Sequence, residues 1–356
     1  MLKEEHYGLA RKAFLLAAFV ASLWMAVYAM GPFAIGATGS GYTGLDSYPY
    51  GTPSRPMVYR VMMPVVARAV LAVVPQAVEK AATQRLVEWR DRDETQGMIK
   101  KLFLRAPPLK DGQIFESAVV MVISFVALLM FLAMLYVLAL TVFPESIAYA
   151  LLAPVLAVEL LPLLMVNNAY IYDFTELFFS CLLTYYMLKG RYRAYLFAFA
   201  LATLNKETTL FMIVYFAAYM FGKVPVRTFQ MLMLAQCVVY GAIKGGLILY
   251  FASYPGELIG PPVTVAGNLY YLWQWGDWKY VALCFAAMAY RWKDKPASLR
   301  AGMPMVAVHW LVYIVICVPG EYRDLYWSLP VMALMITHSI IKLLGLDDHP
   351  VFAPAK

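Results

Sequence analysis

Long apolar runs constrain this chain more than any other feature. Residues 13–30, 117–143, 147–166, 174–189, 228–252, 277–292, 302–319 and 327–344 are predominantly apolar. Each is near the length at which a helix crosses a bilayer, about 20 residues. In hydrocarbon a segment must satisfy its own backbone polar groups, which here leaves helices. With 62% hydrophobic and 14% charged residues in 356, a soluble globular domain is excluded. The expected fold is an all-α polytopic helical membrane protein, a single integral membrane domain over residues 1–356.

The remaining apolar stretch, 192–222, is interrupted by Asn205-Lys206-Glu207-Thr208. Short basic loops set the orientation, because cytoplasmic loops carry excess Lys and Arg. Lys189 to Arg193, Lys223 to Arg227 and Arg291 to Lys295 are such loops. For the first two to share a side, 192–222 must go out and come back as two short helices broken near the outer face. That makes about ten transmembrane helices. Lys3, Arg11 and Lys12 precede the first run, so both termini are expected in the cytoplasm and the first helix is retained rather than cleaved.

Residues 32–116 then form a long external loop between the first and second spans. Within it, 57–75 is apolar but holds Arg60, Pro64 and Arg68, which are costly in hydrocarbon. Residues 76–116 carry eight basic and seven acidic side chains. Val78, Ala82, Leu86 and Trp89 recur at helical spacing on one face of that stretch. The pattern predicts an external subdomain of interfacial helices over 57–105.

This topology places the main polar clusters outside the basic flanks on one side. They are Asp46 to Arg60; Asn167-Asn168 with Asp173 and Glu176; Asn205 to Thr208; Glu257; and Glu321 with Arg323 and Asp324. Charges at helix ends or breaks in a membrane are expensive and mark functional sites. The stretch Asp46 to Pro64 is rich in Tyr and Pro, which argues for a shaped loop. Its carboxylate, framed by aromatics, Arg55 and Arg60, suits an anionic or sugar-bearing substrate.

Each cluster also has a local explanation. Asp173 and Glu176 open an apolar run, where acids favour the helix dipole. Lys206 and Glu207 can pair with neighbours across the broken hairpin, and Glu321 to Asp324 can be a solvated turn. The aromatic stretch Tyr270 to Trp278 suits an interfacial belt. Cys181, Cys237, Cys284 and Cys317 fall in apolar segments without CxxC spacing and read as small buried residues, not disulfides or metal ligands. No histidine motif points to a metal, and no cofactor or nucleic-acid signature is present.

A first helix, then an external acid-bearing loop with surface helices, then a bundle of about ten spans resembles the GT-C class of polyprenyl-phosphate-sugar-dependent glycosyltransferases. The phrases Val58-Tyr59-Arg60-Val-Met-Met-Pro64, Tyr172-Asp173, Asn205-Lys206-Glu207-Thr208 and Glu321-Tyr-Arg323 also resemble a set found together in bacterial integral membrane proteins. The class implies a catalytic base in the first external loop, here Asp46, with Asp173 as the alternative. It implies substrate contacts at Arg60, Tyr59, Lys206, Asn205, Glu321 and Arg323, and Arg60, Lys206 and Arg323 at the lipid phosphate. The implied partners are a polyprenyl-phosphate-linked sugar and the lipid bilayer, in the bacterial inner membrane. Asp46 stands alone where several GT-C families carry paired acids; Asp91-Arg-Asp93 lies far downstream.

Two other classes fit the same pattern. One is a non-enzymatic membrane subunit that binds a protein partner through the 76–116 helices. The other is a transporter whose broken helix lines a substrate path; no internal repeat supports it. The topology itself is testable in a variant lacking the native cysteines. A cysteine at position 100 should react with an impermeant reagent on intact cells, and one at position 225 should be protected. The reverse pattern would make 57–75 a true span.

Overall fold

The computed structural model describes residues 12–14, 16–30, 57–92, 113–164, 170–254, 265–274, 278–317, 322–346 and 352. Among them there is no β-strand, and the protein is a helical membrane bundle. Helix α1 spans Lys12–Met30. It is followed by α2 (Met62–Val73), α3 (Gln76–Asp91), α4 (Ile114–Val142), α5 (Ile147–Leu164), α6 (Asp173–Leu188) and α7 (Tyr192–Asn205). Then come α8 (Phe211–Met220), α9 (Val226–Tyr250), α10 (Val265–Gln274), α11 (Trp278–Ala289), α12 (Ala297–Ala301), α13 (Met303–Ile316) and α14 (Leu329–Leu344).

Every expected span coincides with a helix, but length separates them. Among the described residues, four helical stretches are long and apolar enough to cross a membrane alone: Lys12–Met30, Ile114–Val142, Val226–Tyr250 and Ala297–Ile316. The bent pair α2–α3 makes up to five. Helices such as α6, with 16 residues, extend only about 24 Å at 1.5 Å per residue.

Helix α4 is the central member, in contact with α5, α6, α2 and α3. Its buried face runs Val120, Ala127, Leu128, Phe131, Leu135, Leu138, the three- and four-residue spacing of one helical stripe. Helices α6 and α7 form a hairpin; α7 also meets α9, α14 meets α5 and α11, and α13 meets α8 and α10. Helices α2 and α3 turn by 109° at Val74-Pro75. Proline lacks the backbone donor and restricts the residue before it, so the chain bends there. Helix α3 has no buried residue. Val78 and Trp89 remain 54% and 48% exposed, so no described residue covers much of the apolar face read from spacing.

The stretch 192–222 is two helices, as the loop charges required. Lys206 is extended (φ −156°, ψ 146°), and a 3-10 turn over Glu207–Leu210 leads into α8. Further along α8, the Tyr215 hydroxyl donates to Ser298 O at 3.1 Å, toward the other end of the bundle. One expectation about the cysteines needs correction. Cys181 is buried, but Cys237 is exposed and Cys284 and Cys317 are only partly covered; all four are free. Cys237 lies on α9, whose outer side meets no other part of the described protein over most of its length, so an apolar sequence context did not mean burial in protein.

The end of the bundle at the 291–295 loop is fastened by Lys295. Its ammonium donates to Met335 O (2.9 Å) and Ser339 Oγ (2.8 Å) and faces His338 Nδ1 at 3.2 Å, all on α14. The imidazole of His338 stacks on Phe143 and Tyr149, where α4 passes to α5. Burial lowers the Lys295 pKa from 10.5 to about 8, with Asp294 opposing the shift. The folded state therefore releases this proton before the unfolded chain does. Stability should rise as pH climbs from about 8 to 10.5. Thermal unfolding in detergent checks it: Lys295→Met should flatten that rise.

Candidate functional site

The polar groups gather where α6 begins and α7 ends. Glu176 and Lys206 form an ion pair at 2.8 Å with side chains 0% and 1% exposed. Glu176 lies one turn into α6, and Lys206 is the first residue past α7, so closing the hairpin brings them together. Lys206 also lies 3.6 Å from Asp324 Oδ1, in the turn Tyr322–Leu325. Thr208 Oγ1 donates to Glu176 Oε1 (2.8 Å) and accepts from Trp327 Nε1 (2.6 Å). Each oxygen of the Glu176 carboxylate thus has its own donor.

A second ion pair joins Arg60 to Glu207. The guanidinium reaches both carboxylate oxygens, with Nε to Oε2 at 3.0 Å and Nη2 on Oε1. That is the two-pronged arrangement the planar Arg fork allows. Arg60 Nη1 donates to the Tyr172 hydroxyl, and its guanidinium carbon lies 4.5 Å from the Tyr172 ring centre. Lys206 Nζ lies 5.5 Å from the same centre. One buried tyrosine thus serves two cations, and the π-face attracts both. Tyr170 stacks beside it at 5.4 Å.

The break in 192–222 frees backbone groups that hydrocarbon cannot satisfy. Side chains satisfy them instead. Thr209 Oγ1 donates to Lys206 O (2.9 Å), and the Tyr240 hydroxyl to Glu207 O (3.1 Å). Asn205 is fully buried; its Nδ2 donates to Tyr172 O (3.2 Å) and its Oδ1 accepts from Thr175 (2.8 Å). Beside this cluster, His309 stacks on Phe211 at 4.0 Å between ring centres and its Nδ1 lies 2.8 Å from Ser328 Oγ.

Of the residues singled out by sequence, the fold unites Arg60, Asp173, Asn205 and Lys206. Asp173 is buried and accepts from the Tyr170 backbone N–H at 2.8 Å, in the stretch before the helix. Tyr59 lies at the edge, packing its ring 6.1 Å from that of Phe251. Asp46, Glu321, Asn167, Asn168 and Glu257 lie outside the described residues, and of Arg323 only the backbone is described. Lys206 was expected to pair with an acid of another polar cluster, Asp173 or Glu321, and among the described residues it meets an acid of each of those clusters. The salt bridges are to Glu176 and Asp324, each three residues further along. Three residues is nearly one turn, so the cluster was legible while the member facing Lys206 depended on helix phase.

Tyr172 as the shared hub, Glu207 as the partner of Arg60, and Trp327 were not singled out. A tyrosine before an acid in an apolar sequence gives no sign that two cations will meet it. Chemically, the cluster offers carboxylates of two kinds. Glu176 is sealed, whereas Glu207 and Asp324 retain 36% and 22% side-chain exposure. Among the described residues no three His, Cys, Asp or Glu side chains are grouped as a metal site.

The buried pair gives a sharp expectation. Removing one member strands a charge, which costs about 3–5 kcal/mol. Lys206→Met, which leaves Glu176 buried without its cation, should lower the melting temperature strongly in detergent, and Glu176→Leu less, because Lys206 keeps Asp324 at 3.6 Å. The double variant should recover most of the loss, since neither charge then remains. Compared with protein-family models, curated proteins and solved structures, the chain matches none.

Proposed function

We propose that this protein is a membrane glycosyltransferase of GT-C type. It would take a sugar from a polyprenyl-phosphate donor at the outer face of a bacterial inner membrane. The proposal includes about ten spans, both termini in the cytoplasm and a long external loop at 32–116 that carries a subdomain of interfacial helices over 57–105. One observation carries it: Arg60, Glu176, Lys206, Glu207 and Asp324, from four separate stretches, meet around Tyr172 at one end of the bundle. Buried ion pairs are weak contributors to stability, because desolvation offsets their attraction. A membrane chain that concentrates five ionised groups at one end is therefore better explained by chemistry there than by folding alone.

In this reading Asp46 is the general base toward the acceptor hydroxyl, with Asp173 the alternative. Arg60, Lys206 and Arg323 offer fixed donors to the departing lipid phosphate. Tyr59, Asn205 and Glu321 contact the substrate. The ion pairs keep Arg60 and Lys206 in fixed positions, which suits a site that acts by preorganised charge.

A second reading, a non-enzymatic subunit, is favoured by the exposed apolar side chains Val78 and Trp89 on α3. Transfer measurements separate the two. Wild-type protein in lipid nanodiscs with a polyprenyl-phosphate sugar should release the lipid phosphate. Asp46→Asn should lower that rate by about 10²–10⁴-fold without moving the melting temperature. Transfer retained in this variant would move the base to Asp173. Absence of transfer from any such donor by the wild type would leave the subunit.

A further inference from the structure

Helix α9 presents an inverted surface. Of its 25 residues only Gln236 and Lys244 are buried, and both are polar. Met231, Leu234, Val238, Ile248 and Leu249 are more than half exposed, as suits a helix against lipid. Gln236, Tyr240 and Lys244 are spaced by four, so they form one stripe toward the bundle. The first two are matched: Gln236 Oε1 accepts from the Tyr195 hydroxyl at 2.9 Å, and the Tyr240 hydroxyl donates to Glu207 O at 3.1 Å.

The third position of the stripe is not matched. Lys244 is 9% exposed, and its Nζ, shielded from solvent, has no hydrogen-bond partner among the described residues. The charged groups acting on it are Glu207 and Arg60. Those two already hold each other in a two-pronged pair. The ammonium is thus held beside the site with no counter-charge in contact among the described residues.

A second observation lies next to it. Gly241 and Gly245, one turn apart, sit on the flank adjoining Lys244, and a Cβ built on either meets nothing within 4 Å. Glycine weakens a helix interior relative to alanine, and no close approach of described protein accounts for it here. At the same end of α9, Tyr250, Phe251 and Tyr254 form an aromatic run with ring centres 4.9 and 6.0 Å apart. Such runs mark the membrane interface. Lys244 lies about 9 Å along the helix from Tyr250 at 1.5 Å per residue, within reach of a headgroup just inside that level.

We propose that Lys244 seats the phosphate of a membrane lipid, whose hydrocarbon chain lies over the smooth flank at Gly241 and Gly245. An anionic oxygen group supplies the missing counter-charge, and the missing side chains leave room for the chain that carries it. Lipid is the source that fits, because the outer side of α9 is apolar and no described residue covers most of it. The seat deepens the proposed transferase by locating the donor's phosphate, and it rests on that reading only for the identity of the lipid.

The test uses the full chain in phosphatidylcholine nanodiscs doped with a polyprenyl phosphate, with native mass spectrometry reading the lipid retained. The wild type should retain polyprenyl phosphate over the corresponding polyprenol. Lys244→Met should weaken retention about tenfold to a hundredfold, the loss of a charge-assisted contact, while Lys244→Arg keeps it. Gly245→Leu should weaken it with the charge intact, a second arm should Lys244→Met fail to fold. Unchanged retention in both Lys244→Met and Gly245→Leu would overturn the seat. So would displacement of the lipid by millimolar inorganic phosphate, which would make the site one for a soluble anion. Binding lost in Lys244→Met, in a protein that transfers no sugar, would keep the seat and remove the transferase. Transfer with binding unaffected by either variant would do the opposite.

Discussion

The bond between Lys206 and Glu176 is the interaction on which the rest of this end of the bundle depends. Both side chains are shut from solvent, and neither ion is tolerable there alone. The pair requires that α6 begin and α7 end at the same level, which the short turn between Leu188 and Tyr192 permits. It also requires that α7 stop at Asn205, because a helical Lys206 would sit on a different bearing. The extended backbone at Lys206 follows, and with it two carbonyls that the Thr209 and Tyr240 hydroxyls must satisfy. A polar break within an apolar stretch is thus stable because three elements answer it at once.

Tyr172 extends that arrangement to the stretch before α2. Its ring meets Lys206 on the bundle side and Arg60 from the stretch before α2. Arg60 binds Glu207, the residue next to Lys206. The two ion pairs are therefore coupled through one peptide bond and one aromatic ring. Moving the Met57–Tyr59 turn would disturb the break, and moving the break would disturb the turn. A site built this way is stiff where its cations lie and open where Glu207 and Asp324 retain exposure. Helix α9 completes it from the lipid side with a polar stripe, so the charged cluster is bounded by hydrocarbon rather than by water alone.

Much of this was legible in the chain. Run length and the position of Lys and Arg were enough to expect helices at most of the observed places and a reversal at Asn205 to Thr208, though not helix α10 at Val265–Gln274, because hydrocarbon admits few backbone solutions and loop charge follows a simple rule. The grouping of Arg60, Asp173, Asn205 and Lys206 followed from topology, since residues at the same end of antiparallel helices are brought close without knowledge of side chains. The apolar spacing of Val78 and Trp89 likewise anticipated a surface helix.

What tertiary structure decided was which members of those clusters touch. Lys206 meets Glu176 and Asp324 directly, because the phase of a helix or turn decides which carboxylate of a cluster comes within a few ångströms while leaving the sequence pattern unchanged. Glu207 turned to Arg60 across 147 residues, a pairing no local rule contains. Lys244 passed unnoticed because a single lysine in an apolar run has no partner in sequence, and only its burial on an otherwise uncovered helix gives it meaning. Sequence determined the solvent each segment can tolerate and the end at which each charge must lie. Which charges meet there is a matter of distances of a few ångströms, and those are fixed only when the helices are packed.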